Sequence, residues 1–136
     1  MSQPEFTAEV SVEATISASE DPLKVATAVG NVVGAGPEFV ELGKERARLR
    51  TGEPKALIWI RDKLRDRHVR SAARRQLLLN KDRRSTSIML NRQAAAAGVV
   101  ALCGSPGESP LGPIYLSVRS KRLDAAIDWL TAYEEG

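Results

Sequence analysis

The sequence is poor in the groups from which most active sites are built. Its 136 residues include one cysteine, Cys103, and one histidine, His68. A single thiol excludes an intrachain disulfide. Its place after the apolar run Val99-Val100-Ala101-Leu102 suits a small core hydrophobe. His68 lies in a basic stretch with no cysteine nearby, so no His/Cys metal set can be written. Gly34-Ala35-Gly36 and the 104–108 loop contain glycine, yet neither matches a phosphate-binding loop or a dinucleotide fingerprint. Ser105 has no obvious base. These absences point to a protein that is not an enzyme and carries no cofactor.

Aromatic residues make up only 4% of the chain. Phe6, Phe39, Trp59, Tyr115, Trp129 and Tyr133 are scattered, and no segment interleaves them with basic residues as a single-strand stacking platform would. Leu, Ile, Val and Ala must therefore build most of the core. Long apolar runs are also missing: none approaches the roughly 20 residues that span a bilayer. Residues 1–9 lack a basic start followed by an apolar stretch, so no signal peptide is expected. The expectation is a cytoplasmic protein of one domain, core about 9–133, with no membrane partner.

What the chain does have is segregated charge. The net formal charge is +3, but residues 1–43 hold one lysine against seven acids. Residues 44–92 hold sixteen Lys and Arg against five acids, and residues 93–136 hold three basic residues against five acids. A middle third this basic reads as an electrostatic footprint for a polyanion rather than a mixed solvated surface.

The apolar pattern gives the architecture. Val10, Val12, Ala14 and Ile16 alternate with polar residues over 9–17, as in a strand with one wet face. Asp21 can cap a helix with Pro22 in its first turn, and Val25, Val29, Val32 and Val33 keep helical spacing up to Gly34. Residues 38–42 suit a short strand, and alternation returns at 46–50 with arginines on one face. Ala56, Leu57, Ile60 and Leu64 mark the inner face of the next helix. A second helical pattern, 66–79, has Val69, Ala72 and Ala73 inward. Strand patterns follow at 85–91, 99–103 and 114–118. A last helix over about 122–133 buries Leu123, Ala126, Ile127 and Leu130. The expected class is α+β in the order β-α-β-α-α-β-β-β-α, an antiparallel sheet with helices on one face.

Several short motifs occur in a recognisable order: Glu20-Asp21-Pro22 with Lys24-Val25, Ala72-Ala73-Arg74, Asn91-Arg92-Gln93-Ala94-Ala95, Leu111-Gly112-Pro113-Ile114 and Ile127-Asp128-Trp129-Leu130. Together, from about Glu9 to Thr131, they resemble an archaeal family of uncharacterised proteins described as RNA-binding, with a fold similar to ribosomal protein L-five. Arg92 stands where that family's pattern has lysine, which keeps the charge. Thr131-Ala132 follows the final Trp-Leu where the family tends to have proline. The resemblance implies RNA binding but names no reaction.

Phosphate contacts require Lys or Arg. Arg46, Arg48 and Arg50 would form a ladder on one strand face. Arg67, Arg70 and Arg74 would form a helical stripe opposite the core face. Lys81, Arg83 and Arg84 crowd a loop, and Arg92 lies between Asn91 and Gln93, whose amides can bond base edges or 2′-hydroxyls. Arginine outnumbers lysine, which suits bidentate phosphate recognition. The expected partner is structured or double-stranded RNA, read by shape and backbone. The competing reading is a protein-interaction module or an accessory subunit of an RNA-processing or ribosomal assembly. For that reading the acidic first third and Trp129/Tyr133 offer a docking edge, or the self-association surface of a homodimer. One contiguous basic face favours RNA; dispersed basic residues favour the module.

Overall fold

The computed structural model describes residues 4–66, 69–109 and 111–132. Five strands, β1 (Glu9–Thr15), β2 (Glu41–Leu42), β3 (Arg46–Thr51), β4 (Ser85–Leu90) and β5 (Ile114–Arg119), form one sheet in the order β2-β3-β1-β5-β4. Every neighbouring pair is antiparallel. The helices are α1 (Pro22–Val32), α2 (Pro54–Asp66), α3 (Arg70–Leu79), α4 (Arg92–Ala96) and α5 (Leu123–Leu130).

Register explains the two faces. Val12 of β1 lies between Leu49 of β3 and Leu116 of β5, and Val10 lies beside Val118. These side chains point into the core with Ile16, Val29, Leu57, Leu77 and Ile127, and all are buried. The pleat sends their neighbours to the opposite face. Glu13, Arg48, Ser117 and Tyr115 are accordingly half-buried or exposed there. α1 is set as its sequence requires: Asp21 Oδ1 accepts the Leu23 N–H at 3.0 Å, and Gly34 follows the helix at φ 71°, a left-handed conformation that glycine adopts without a Cβ penalty.

Several elements differ from the sequence pattern. Residues 99–103 are not a strand: they make one isolated bridge, Leu102 with Leu90, flanked by Asn91 N–H to Ala101 O and Cys103 N–H to Met89 O. Val100 and Cys103 are buried, so the run is apolar because it packs, not because it extends the ladder. Asn91 does not end a strand but caps α4, accepting the Ala94 N–H at 2.9 Å. The order thus becomes β-α-β-β-α-α-β-α-β-α. In 38–42 only Glu41–Leu42 pair, because Pro37–Phe39 form a single 3-10 turn. The buried face of α3 is Ala73 and Leu77, while Val69 and Ala72 stand at its margin. Among the described residues no helix is long and apolar enough to cross a membrane.

Candidate nucleic-acid interface

The wet face of the sheet carries the arginine ladder. Arg46, Arg48 and Arg50 face Thr15, Glu13 and Ser11 across β1. Glu13 engages the first two, at 2.7 Å to Arg46 Nε and 3.6 Å to Arg48 Nη2. Arg50 has no such acid opposite it. The next residues across the sheet are hydroxyls, Ser11, Ser117 and Ser87 in one row. At the same end, Arg119 of β5 pairs in register with Glu9 and Ser85.

That end of the sheet is where positive charge gathers. Arg50, Arg83, Arg84 and Arg119 surround a shallow depression of about 550 Å³, with Glu9 and Asp82 as its acids. A second depression, about 450 Å³, joins Arg84 and Arg119 to Lys121. A third, about 340 Å³, brings Lys81, Arg83, Lys121 and Arg122 together. Backbone bonds hold the corner: Ser120 N–H donates to Arg84 O at 2.8 Å, and Ser120 Oγ donates to Thr7 O at 2.7 Å. Asp82 Oδ1 is turned to the backbone N–H of Arg83 at 2.8 Å. Three chain segments, ending β3, preceding β4 and ending β5, therefore present guanidinium groups at one end of the sheet.

Arg119, Lys121 and Arg122 were not among the residues expected to contact a ligand. Their signal was visible: they are the three basic residues of the last third, and they fall within four positions. Summing charge over 93–136 hid them behind five acids, of which, among the described residues, only Asp124 lies beside them.

Other expected contacts are committed elsewhere. Arg74 keeps 41% of its side chain exposed but is already engaged: its Nη1 lies 2.7 Å from Asp128 Oδ1 and 3.2 Å from Thr131 Oγ1 of the α5 segment. Arg70 Nη1 donates to Ala132 O at 3.0 Å. Arg70 and Arg74 therefore tie α3 to the α5 segment along a seam that stays partly open to water. Arg67 lies outside the described residues, as do His68 and Tyr133. Lys81 pairs with Asp124 at 2.9 Å, although both side chains remain open to water.

Arg92 is the clearest correction. Its side chain is 6% exposed, and its Nη1 contacts both Glu20 carboxylate oxygens at 2.8 and 2.7 Å. Its Nε donates to Gly112 O at 3.1 Å. It locks the entry of α1 and the start of β5 to α4, and no phosphate can reach it. Burial pushes the Glu20 carboxyl upward, but the Ser17 N–H and the Arg92 guanidinium outweigh that and hold it below its ordinary value. Asn91 is occupied as a cap, leaving Gln93 as the exposed member of the motif.

Burial pushes the Cys103 thiol up, with Glu108 adding to the shift, which keeps it protonated. Among the described residues no three His, Cys, Asp or Glu side chains are grouped to hold a metal. Trp129 is half-buried, with Phe6 edge-on at 6.0 Å and Arg61 at 4.8 Å from its ring centre. It belongs to the core margin.

No family model matches the chain. Individual relatives do. A UPF0201 protein of Sulfurisphaera tokodaii is 34% identical over 126 residues, covering 88% of this chain and 84% of its own length. One from Metallosphaera sedula is 35% identical over 120 residues, with the same coverage. Among solved structures, a UPF0201 protein from Methanococcus jannaschii superposes with a TM-score of 0.74 at 21% identity, covering 90% of this chain and 98% of its own. A DUF54 protein from Methanothermobacter thermautotrophicus gives a TM-score of 0.67 at 20% identity, over 93% of this chain and 96% of its own. The two structures are alike in fold, and the two sequences carry the kinship: the chain belongs to the archaeal UPF0201 family.

Proposed function

We propose that this protein binds RNA non-catalytically, gripping the phosphate backbone at the basic end of its sheet. The observation that carries the reading is the convergence of Arg50, Arg84 and Arg119 from separate strands or strand ends around one depression. Arg83 and Lys121 extend the same surface. Guanidinium groups on a rigid sheet lose little freedom when they meet phosphate oxygens. The surrounding serines can bond sugar hydroxyls and phosphates, and 2′-hydroxyl contact is what distinguishes RNA from DNA. A structured or duplex RNA fits a broad, shallow surface better than a slot for an extended strand. The likeness to ribosomal protein L-five suggested by the sequence motifs is of a piece with this reading, as is a cytoplasmic location.

The test is an affinity series with an RNA hairpin at several salt concentrations. About five phosphate contacts would cost on the order of several hundredfold in affinity between about 50 and 200 mM salt. Replacing Arg84 and Arg119 with Ala should weaken binding to every hairpin alike and flatten the salt dependence by roughly one unit per contact. Wild-type protein that ignores all RNA at low salt would reject the reading in favour of a protein-interaction module.

A further inference from the structure

Phe39 and Trp59 flank β3 in the chain, Phe39 on the turn before it and Trp59 on the helix after it. Folding sets both against one cleft of about 510 Å³, floored by Leu49 and Ala56. Both remain in water to an unusual degree for large aromatics, at 68% and 41% exposure. Trp59 is nonetheless fixed. Its Nε1 donates to Asn31 O at 3.2 Å, and Lys63 Nζ stands 5.1 Å from the ring centre. Gly34, at φ 71°, packs so closely on the indole that a Cβ there would sit 2.6 Å from a ring carbon. The indole is therefore a preset wall, and the stacking face open to a ligand is the phenyl ring of Phe39.

The charges around the cleft define its occupant. Arg50 lines both this cleft and the basic depression at the sheet end. Lys55 stands at the mouth with Glu53, and the Glu38 carboxylate lies over Gly36. Arg50 and Lys55 are the cations at this cleft and Glu53 and Glu38 its acids, a rim that can take one phosphate on arginine while offering carboxylates to ring or exocyclic N–H donors. Lys63 stays over the indole, with its Nζ 3.4 Å from Gly98 O. An aromatic wall, an open stacking face and a shared arginine match a nucleotide better than an aliphatic peptide side chain.

Resting on the RNA reading above, we propose that this cleft receives a single unpaired base of the bound RNA, stacked on Phe39, with Arg50 holding its phosphate. Sequence-specific contacts to RNA usually fall on such splayed-out bases, so the cleft would give the protein a preference that the basic corner alone cannot.

Two hairpins of equal length decide it, one fully paired and one with a single-nucleotide bulge. Wild-type protein should bind the bulged hairpin about tenfold more tightly, near the low end of what one base–aromatic stack contributes. Phe39→Ala should erase that difference and leave the paired hairpin unaffected, since Phe39 contributes nothing to the core. In a Trp129→Phe background Trp59 is the sole indole, and its fluorescence should respond to the bulged hairpin only. Equal binding of both hairpins would overturn the cleft while leaving the backbone reading intact. So would a Phe39→Ala variant that loses both hairpins equally. Failure of the wild-type protein to bind either hairpin would overturn both.

Discussion

The seam between α3 and α5 and the basic end of the sheet are built from the same residue type to different ends. At the seam, Arg70 and Arg74 reach Ala132 O and Asp128 of the α5 segment, and their charge is spent on holding two helices together. At the sheet end, Arg50, Arg84 and Arg119 surround an open depression and form no ion pair among the described residues. The difference lies in what faces each arginine. An arginine whose guanidinium reaches an acid or carbonyl on a packed neighbour is a brace, whereas one that reaches none is left to bind, as Arg50 is opposite Ser11 and Arg119 is beside Glu9 without an ion pair to it. Arg92 is the extreme brace, and Arg46, which shares Glu13 with Arg48 while staying 58% exposed, is intermediate.

Breaking the extreme brace should have the largest effect. Arg92→Ala leaves the Glu20 carboxylate buried without its counter-charge and removes the donor to Gly112 O. Losing one partner of a buried pair costs about 3–5 kcal/mol, a large share of the roughly 5–15 kcal/mol that holds a typical domain. A urea denaturation series should show the midpoint falling with little change in slope. If Arg92→Ala unfolds as wild type does but loses RNA affinity, the assignment of Arg92 as a brace is wrong.

The same pair sharpens the comparison through pH. The Glu20 carboxyl titrates below its ordinary value of 4.5 in the folded state. The unfolded chain therefore takes up the proton first as pH falls. The stability contributed by the charged form is fully present above the unfolded value and drains away as pH drops through the folded one. Glu20→Gln should remove that part of the acid sensitivity, flattening stability against pH below about 4.5. An unchanged acid slope would mean that other carboxylates control acid unfolding.

The sheet and the division of its faces could be read from the chain because a period of two is a local property. Val10, Val12 and Ala14 declare their face without knowing their neighbours. The Asp21 cap and Val25, Val29 and Val32 are equally local. The 99–103 run misled because burial and strand pairing produce the same apolar string, and only tertiary placement shows that this one makes a single bridge. For the basic residues the failure has one physical cause. Helical spacing sets which side of α3 carries Arg70 and Arg74, but not that α5 would arrive there with Asp128. The cleft of Phe39 and Trp59 was invisible for the same reason, since scattered aromatics meet only when β3 turns the chain back.

The smallest effect tests the comparison most directly. Arg74→Ala removes an ion pair whose side chains are 41% and 66% exposed, and a pair in that setting contributes only about 0.2–1 kcal/mol. Its bond to Thr131 Oγ1 is lost too, but the Thr131 hydroxyl still donates to Ile127 O at 2.7 Å, so nothing buried is left unsatisfied. The expected outcome is a midpoint shift near the resolution of a denaturation curve and no change in RNA affinity or its salt slope. Arg84→Ala should give the mirror image, with stability unmoved and the salt slope reduced by roughly one unit. Measuring both variants by both assays separates brace from binder without relying on either alone. Should Arg74→Ala flatten the salt slope as much as Arg84→Ala does, the seam would also reach the phosphate backbone, and the footprint would extend from the sheet end across α3.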